Sequence, residues 1–282
     1  MVGSITIVRP NSMLTDIVEA IWDWQVTDGA AAQTLRGLRL PSASPLFVVH
    51  YRAPMWSDWP LSSGHHRQVV IGIQTRLTEL RPSGPVGCVT VRLRPEAAAR
   101  LTGAAIAEFV DAKIELNDLF DSGEVALLEQ KLIRAADSAE RIVSVETFLM
   151  RHLRDPRSNP VVSRALLLLR QRPTLPMRSL ASDLGVSERH LLRSFYAMVG
   201  VSPKKFARIV RLGKVLAARR RGLGWAEIAF ACGFTDQAHM IKDFNALVGV
   251  SPEEFLRTTL VEKYRDLNAS LGASDFYNQF LV

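Results

Sequence analysis

A twelve-residue segment occurs twice in this chain, and that repetition constrains the fold more than any single motif. Phe195-Tyr-Ala-Met-Val-Gly-Val-Ser-Pro-Lys-Lys-Phe206 returns as Phe244-Asn-Ala-Leu-Val-Gly-Val-Ser-Pro-Glu-Glu-Phe255, each position displaced by 49 and eight of twelve residues identical. Upstream, Leu180 to Ser187 aligns loosely with Ile228 to Thr235 at a displacement of 48, so the second copy holds one more residue between its glycine and its phenylalanine. Each repeated piece has a mechanical reading. Ser202 and Ser251 are N-caps followed by proline at the first helical position. Val201 with Phe206, and Val250 with Phe255, have the spacing of a hydrophobic staple, and Ser251-Pro-Glu-Glu254 adds a capping box that the first copy lacks. Gly185 and Gly233 sit between a short helix and the next cap, Ser187 or Thr235, where a positive φ suits glycine. Short helix, glycine turn and capped helix make a helix-turn-helix unit. The chain contains two.

Between the units, Pro203 to about Arg221 reads as one continuous helix of roughly 19 residues, about 28 Å long. Recognition helices that enter successive major grooves on one face of DNA lie about 34 Å apart. A stiff connector of this length, with the helix radii added, holds them at that pitch and predicts a bipartite site of about 20 bp. Charge agrees: residues 156–265 hold 19 Lys and Arg against 8 Asp and Glu, whereas residues 1–155 hold 16 against 18. A basic second half on a neutral first half suits a polyanion binder joined to a sensing or structural module.

Other classes drop out. No apolar run approaches the roughly 18–20 residues of a membrane span. The N-terminus lacks the charged-then-apolar pattern of a secretory signal, so a cytoplasmic location is expected. Cys88 and Cys232 are too few for a disulfide framework or a four-thiolate zinc centre and read as buried hydrophobes. An alkylation-repair enzyme on this type of domain needs a cysteine-rich zinc centre and a nucleophilic thiol, which two isolated cysteines do not supply. The chain is therefore expected to be no enzyme and to hold no cofactor. An architectural binder with weak sequence preference is the remaining alternative within DNA binding.

The first half mixes signals. Leu46 to Arg52, Gln68 to Ile73 and Val86 to Leu93 are short, rich in β-branched residues and bounded by turn residues such as Pro82-Ser-Gly-Pro85. Ile17 to Val26, with Trp22 and Trp24, fits a strand or a short helix. Pro95 opens a helical stretch to Leu101, and Glu124 to Ala136 and Glu140 to Leu153 read as amphipathic helices. Asp155-Pro-Arg-Ser-Asn-Pro160 is the boundary candidate. The expected fold is thus an α+β N-terminal domain (residues 1–155), antiparallel and barrel-like in the cupin manner with flanking helices. An all-α domain with two helix-turn-helix units on a linker helix follows at 160–265, then a tail at 266–282.

The second half resembles the C-terminal domain of the AraC/XylS family of bacterial transcription regulators, over about Val161 to Leu260. The most specific part is Gly233-Phe-Thr-Asp-Gln-Ala-His-Met-Ile-Lys-Asp-Phe244 followed by Gly249-Val-Ser-Pro252. Glu254 stands where the family has Arg or Lys, which removes one expected basic contact. The first half resembles the strand-rich domain of one branch of that family through Leu40-Pro-Ser42, Gly72-Ile-Gln-Thr75 and Leu93-Arg-Pro-Glu-Ala-Ala98. The resemblance implies promoter DNA and RNA polymerase as partners, and base reading from Arg189, Leu192 and Arg193 in the first unit and Gln237, Ala238 and Lys242 in the second. Arginine can donate two hydrogen bonds to guanine, and glutamine pairs likewise with adenine, while Leu192 reaches only a thymine methyl. A solvated face or plain phosphate contact is the alternative for Arg189 and Arg193. Phosphate contacts are expected from Ser187, Thr235, His239, Lys204, Lys205, Arg208 and the Arg219-Arg-Arg221 run. Glu227, Trp225, Ile228, Ala229 and Phe234 read as packing.

The family pairs this domain with an N-terminal module for effector binding, dimerisation or both. Trp22, Trp24, His50, Arg92 and Arg94 are the candidates to line a pocket for a small anionic effector, with core aromatics and surface arginines as the alternative. Gly64-His-His66 invites a metal reading, but adjacent strand histidines do not point to one centre, so no metal is expected. Trp56 and Trp59 flank a loop that is either a lid or an anchor. The stripes Val125, Leu128, Leu132 and Ile142, Val145, Leu149 fit internal packing, and the family places its dimer contact on such helices, which makes a homodimer the expectation. The resulting function is a sequence-specific regulator of transcription, an activator under effector control. The alternative is a constitutive or partner-controlled DNA binder whose first half only dimerises.

Overall fold

The computed structural model describes residues 3–34, 37–58, 64–103, 106–154 and 159–257. The tail 266–282, residues 155–158 of the boundary segment and Trp59 lie outside these. Among the described residues of the N-terminal half, ten strands form two antiparallel sheets. Strands β1 (Ser4–Val8), β2 (Val18–Val26), β4 (Leu46–His50), β7 (Gln68–Ile71), β9 (Val86–Leu93) and β10 (Lys113–Glu115) give one sheet, in the order β1-β2-β9-β4-β7-β10. Strands β3 (Gly37–Arg39), β5 (Met55–Ser57), β6 (Gly64–His66) and β8 (Thr78–Pro82) give the other, in the order β3-β8-β5-β6. The sheets do not close into a barrel: the barrel-like expectation holds for the antiparallel pairing and not for closure. Helices α1 (Gly29–Thr34), α2 (Ala97–Thr102), α3 (Ser122–Arg134) and α4 (Ser138–His152), with short 3-10 turns at Ser12–Leu14, Ile106–Phe109 and Leu116–Asp118, accompany the sheets.

The period-2 alternation of a strand sends successive side chains to opposite faces, so the large sheet carries two cores. Ile21, Phe47, Val49, Val89, Val91 and Leu93 meet the buried stripes of α3 and α4, including Val125, Leu132, Val145 and Leu149. Those stripes are internal packing, as their spacing predicts. Trp22, Leu46, Val48, Ile71 and Cys88 point the other way. Asp23 is the exception on the helix side: its carboxylate is buried and accepts from Arg141, Tyr51 and Ser138, at 3.0, 2.7 and 2.7 Å. These bonds tie β2 to α4. Of the ambiguous Ile17 to Val26, Val18–Val26 is a strand with apolar packing on both faces, and Ile17 lies in the turn before it. Pro95 lies outside α2, which starts at Ala97 after the N-cap Glu96.

The C-terminal half is helical: α5 (Pro160–Gln171), α6 (Met177–Asp183), α7 (Glu188–Val199), α8 (Pro203–Arg220), α9 (Trp225–Ala231), α10 (Gln237–Val248) and α11 (Pro252–Arg257). Phe195 packs edge-on against Phe206 at 5.6 Å, and Phe244 against Phe255 at 5.8 Å, so both copies of the repeat build the same aromatic contact. The two halves share a core: Leu40 and Ile73 are buried in the same cluster as Leu166, Leu180 and Ile209. A polar tie joins them as well. Glu19 of β2 accepts from Arg170 of α5 at 2.6 Å and lies 2.8 Å from Arg92 of β9, while Ser44 bonds both Glu19 and Arg170.

Candidate nucleic-acid interface

The two helix-turn-helix units are α6–α7 and α9–α10. Gly185 and Gly233 take φ of 65° and 71°, which glycine reaches without the steric penalty other residues meet. Ser187 caps α7, its hydroxyl accepting from His190 N at 3.2 Å. The matching cap on α10 is Asp236, whose carboxylate accepts from His239 N at 2.7 Å. Thr235 is therefore not the cap; its hydroxyl lies 3.3 Å from the His239 ring. This locates the extra residue of the second copy. Two steps separate Gly185 from its cap and three separate Gly233 from its own, after which the displacement is 49 throughout.

The capped helices present matched outer faces. Glu188, Arg189, Leu192 and Arg193 are exposed on α7, while Leu191, Phe195 and Val199 are buried. On α10, Gln237, Ala238, His239 and Lys242 are exposed, and Met240, Phe244, Leu247 and Val248 are buried. All six expected base-contacting residues thus stand on solvent-facing helix surfaces. Lys242 occupies the place of Arg193 at the displacement of 49. The linker α8 is one 18-residue helix, about 27 Å long. Exposed Ser187, Thr235, His239 and Lys204 and half-buried Lys205 lie near the starts of α7, α10 and α8. Helix N-termini offer unpaired N–H groups to phosphate there.

Arg208 is engaged elsewhere. Its guanidinium donates to Asp243 of α10 at 2.6 Å, and Arg211 donates to the other carboxylate oxygen at 2.8 Å. Arg211 also lies over the Phe234 ring, 4.0 Å from its centroid. One carboxylate on α10 therefore clamps two arginines of the linker helix, so Arg208, expected at phosphate, spends its Nε on Asp243. The Arg219-Arg-Arg221 run divides too: Arg219 donates to Leu223 O at 3.0 Å and stacks on Trp225. Glu227 is exposed, in contrast to the buried Ile228, Ala229 and Phe234 grouped with it.

The expected effector set is scattered over three places. Trp22, Trp24 and His50 face the space between the sheets, where the His50 ring meets His66 at 5.5 Å. Lys113 enters that space from β10, its Nζ 3.0 Å from Gly64 O and 3.2 Å from His66 Nδ1. Burial lowers His50 to about 4 and His66 to about 2, so both rings are neutral. Trp24 Nε1 is buried with no protein acceptor. Arg92 sits instead at the domain junction beside Glu19. Arg94 donates to Thr15 O at 2.9 Å on the surface. On β6, His65 is exposed and His66 buried, so the pair diverges, and no group of three His, Cys, Asp or Glu forms a metal site among the described residues. No described helix is long and apolar enough to cross a membrane.

Compared with known proteins, residues 180–258 match the model of a family described as a helix-turn-helix domain. Residues 6–115 match one described as a domain of unknown function. No curated protein matches the chain in sequence. Among solved structures the chain is similar to ToxT from Vibrio cholerae, at 9% identity over 90% of this chain and 98% of that one, with a TM-score of 0.44. It is similar to the C-terminal domain of AraT, a response regulator from Geobacillus stearothermophilus, at 28% identity over 36% and 88%, with a TM-score of 0.35. Likeness to the AraC-like transcriptional activator CuxR is 15% over 77% and 88%, with a TM-score of 0.29.

Proposed function

We infer, from the AraC/XylS-type helix-turn-helix domain that makes this chain a DNA-binding transcription regulator, that it reads two successive major grooves with α7 and α10. The observation that carries this is the pair of exposed polar faces repeated at one displacement on either side of a rigid helix. Arg189, Leu192 and Arg193 read one half-site, and Gln237, Ala238 and Lys242 the other. Ser187, Thr235, His239, Lys204 and Lys205 hold the phosphates. Competition between DNA sequences at fixed salt tests it: a regulator favours its operator by at least about 10³, whereas equal affinity for all sequences identifies an architectural binder.

Activation through RNA polymerase is the finer part of the proposal. Phe230 on α9 is 87% exposed, the most exposed of the large apolar residues among those described, and it stands off the reading faces as a contact for a partner. Phe230→Ser then leaves operator affinity unchanged and lowers transcription from the promoter. Loss of both together assigns Phe230 to folding instead. The regulator works as a homodimer through the outer faces of α3 and α4. Exposed Leu127 and Val143 line a groove there, and Ile133 stands exposed nearby. Val143→Glu shifts sedimentation from dimer to monomer if this face is the contact. Regulation by a small molecule at the N-terminal half completes the proposal. A constitutive binder instead shows one operator affinity under every metabolite added.

A further inference from the structure

We propose that the two helix-turn-helix units grip DNA unequally. The α7 unit carries the backbone contacts, while Glu253 and Glu254 at the start of α11 hold the α10 unit off the phosphates, so that its half-site is bound only where base contacts supply the energy. This rests on the groove-reading proposal above and names the side chains that tune it. Charge divides between the copies. Residues 177–206 hold five Lys and Arg against two Asp and Glu, whereas the corresponding residues 225–255 hold one against five. Four positions matched at the displacement of 49 make most of that difference. Ser187 becomes Asp236, Arg189 becomes Ala238, and Lys204 and Lys205 become Glu253 and Glu254. Within these stretches Arg193 alone keeps its cation, as Lys242.

The backbone is the same in both copies where these charges stand. Gly200 and Gly249 take φ of 83° and 87°. The Ser202 hydroxyl accepts from Lys205 N at 3.2 Å, and the Ser251 hydroxyl from Glu254 N at 3.1 Å. With the aromatic pairs at 5.6 and 5.8 Å, α11 leaves α10 as α8 leaves α7. A phosphate that meets Lys204 and Lys205 beside the first half-site therefore has a counterpart beside the second that meets Glu253 and Glu254. Both glutamates are exposed, and neither has an ion-pair partner among the described residues. Arg208 and Arg211 of the linker helix are spent on Asp243. Arg257 of α11 corresponds to Arg208 and leaves the difference between the copies unchanged. Like charge set against a phosphate is a repulsive element, and such elements give selectivity by weakening the wrong complexes. Salt dependence follows the number of phosphates neutralised, so it belongs mainly to the first unit.

Titration of the full chain tests it, on a duplex of about 20 bp selected from a random pool and on the unselected pool, between about 50 and 200 mM salt. Glu253→Lys with Glu254→Lys gives the second unit the first unit's charges, on a backbone that already carries lysines in the first copy. The double variant binds both DNAs more tightly and its salt slope is steeper by about two, so its advantage over the parent grows about tenfold from 200 to 50 mM. A gain of this kind does not arise from a damaged fold. Lys204→Glu with Lys205→Glu instead weakens binding to both DNAs and flattens the slope by about two. Unchanged affinity and slope after the glutamate exchange overturn the proposal. So does an unchanged slope after the lysine exchange, because α8 then starts away from the backbone. Enrichment of no sequence from the pool sinks the groove reading, while the unselected pool still measures the glutamates. An enriched sequence with both slopes unmoved sinks only this inference.

Discussion

Replacing Asp243 by alanine tests how the second helix-turn-helix unit is held. The carboxylate receives one hydrogen bond from Arg208 and one from Arg211, at 2.6 and 2.8 Å, and its side chain is 12% exposed. Charge-assisted bonds contribute about 1.5–3 kcal/mol each. Arg208 is 29% exposed, so water and salt recover part of its share and the two are worth less than their sum. Arg211 is 13% exposed, and removing the partner of a mostly buried charge is the costly direction. The loss expected is about 3 kcal/mol, felt as loosening of α10 against α8. Native-state hydrogen exchange reads this directly: the amides of α10 lose protection by about two orders of magnitude, while those of α7 do not change. Operators with one half-site scrambled give the functional half of the test. The variant keeps discrimination at the half-site read by α7 and loses it at the other. Unchanged protection of α10, or equal loss at both half-sites, refutes the clamp.

Further outcomes concern the reading faces, the caps and pH. Arg193→Ala costs about 1–3 kcal/mol and relaxes preference at one base step, whereas Lys204→Ala weakens all sequences alike and lowers the salt slope by about one; titrations at several salt concentrations distinguish them, and identical behaviour refutes the assignment. Ser187→Ala and Asp236→Ala each cost about 1 kcal/mol through the lost cap, seen as lower helix protection in α7 or α10 respectively. Placing the second cap at Thr235 predicts the opposite, with Thr235→Ala the damaging change. His50 and His66 stay neutral in the folded chain, with values lowered by burial to about 4 and about 2. The unfolded chain protonates them near 6.5, so it binds more protons as the medium turns acid. Stability is full above pH 6.5 and falls toward pH 4 by about 1.4 kcal/mol per unit for each ring. Melting of the sheet domain between pH 7 and 5 shows this slope, and His50→Gln about halves it; a flat profile refutes the buried neutral pair.

Much of the helix-turn-helix architecture is local in sequence and was legible there. A cap bonds the amide three residues on, a glycine turn needs one residue of positive φ, and a helical face follows from spacing by three and four. All of these act within a few neighbours, so the repeat announced α7, α8 and α10 and put Arg193 and Lys242 on corresponding outer faces. Even the shift of the second cap to Asp236 was present as the change of displacement from 48 to 49. Short strands such as β3, β5, β6 and β10 escaped because three residues carry no usable period; their pairing with neighbours makes them strands.

What tertiary structure alone decided is which charges have partners. Asp243 lies 35 and 32 residues from the arginines it clamps, and Glu19 lies 151 from Arg170. Nothing in the local pattern distinguishes Arg208 from a free phosphate ligand, or Arg92 from a residue between the sheets. Charges attract over distances that the backbone sets only once every element is packed. The sequence by itself determined two capped units on a helical rod; the packed chain decided how the second is anchored, and how Glu19 ties β2 to Arg92 and Arg170.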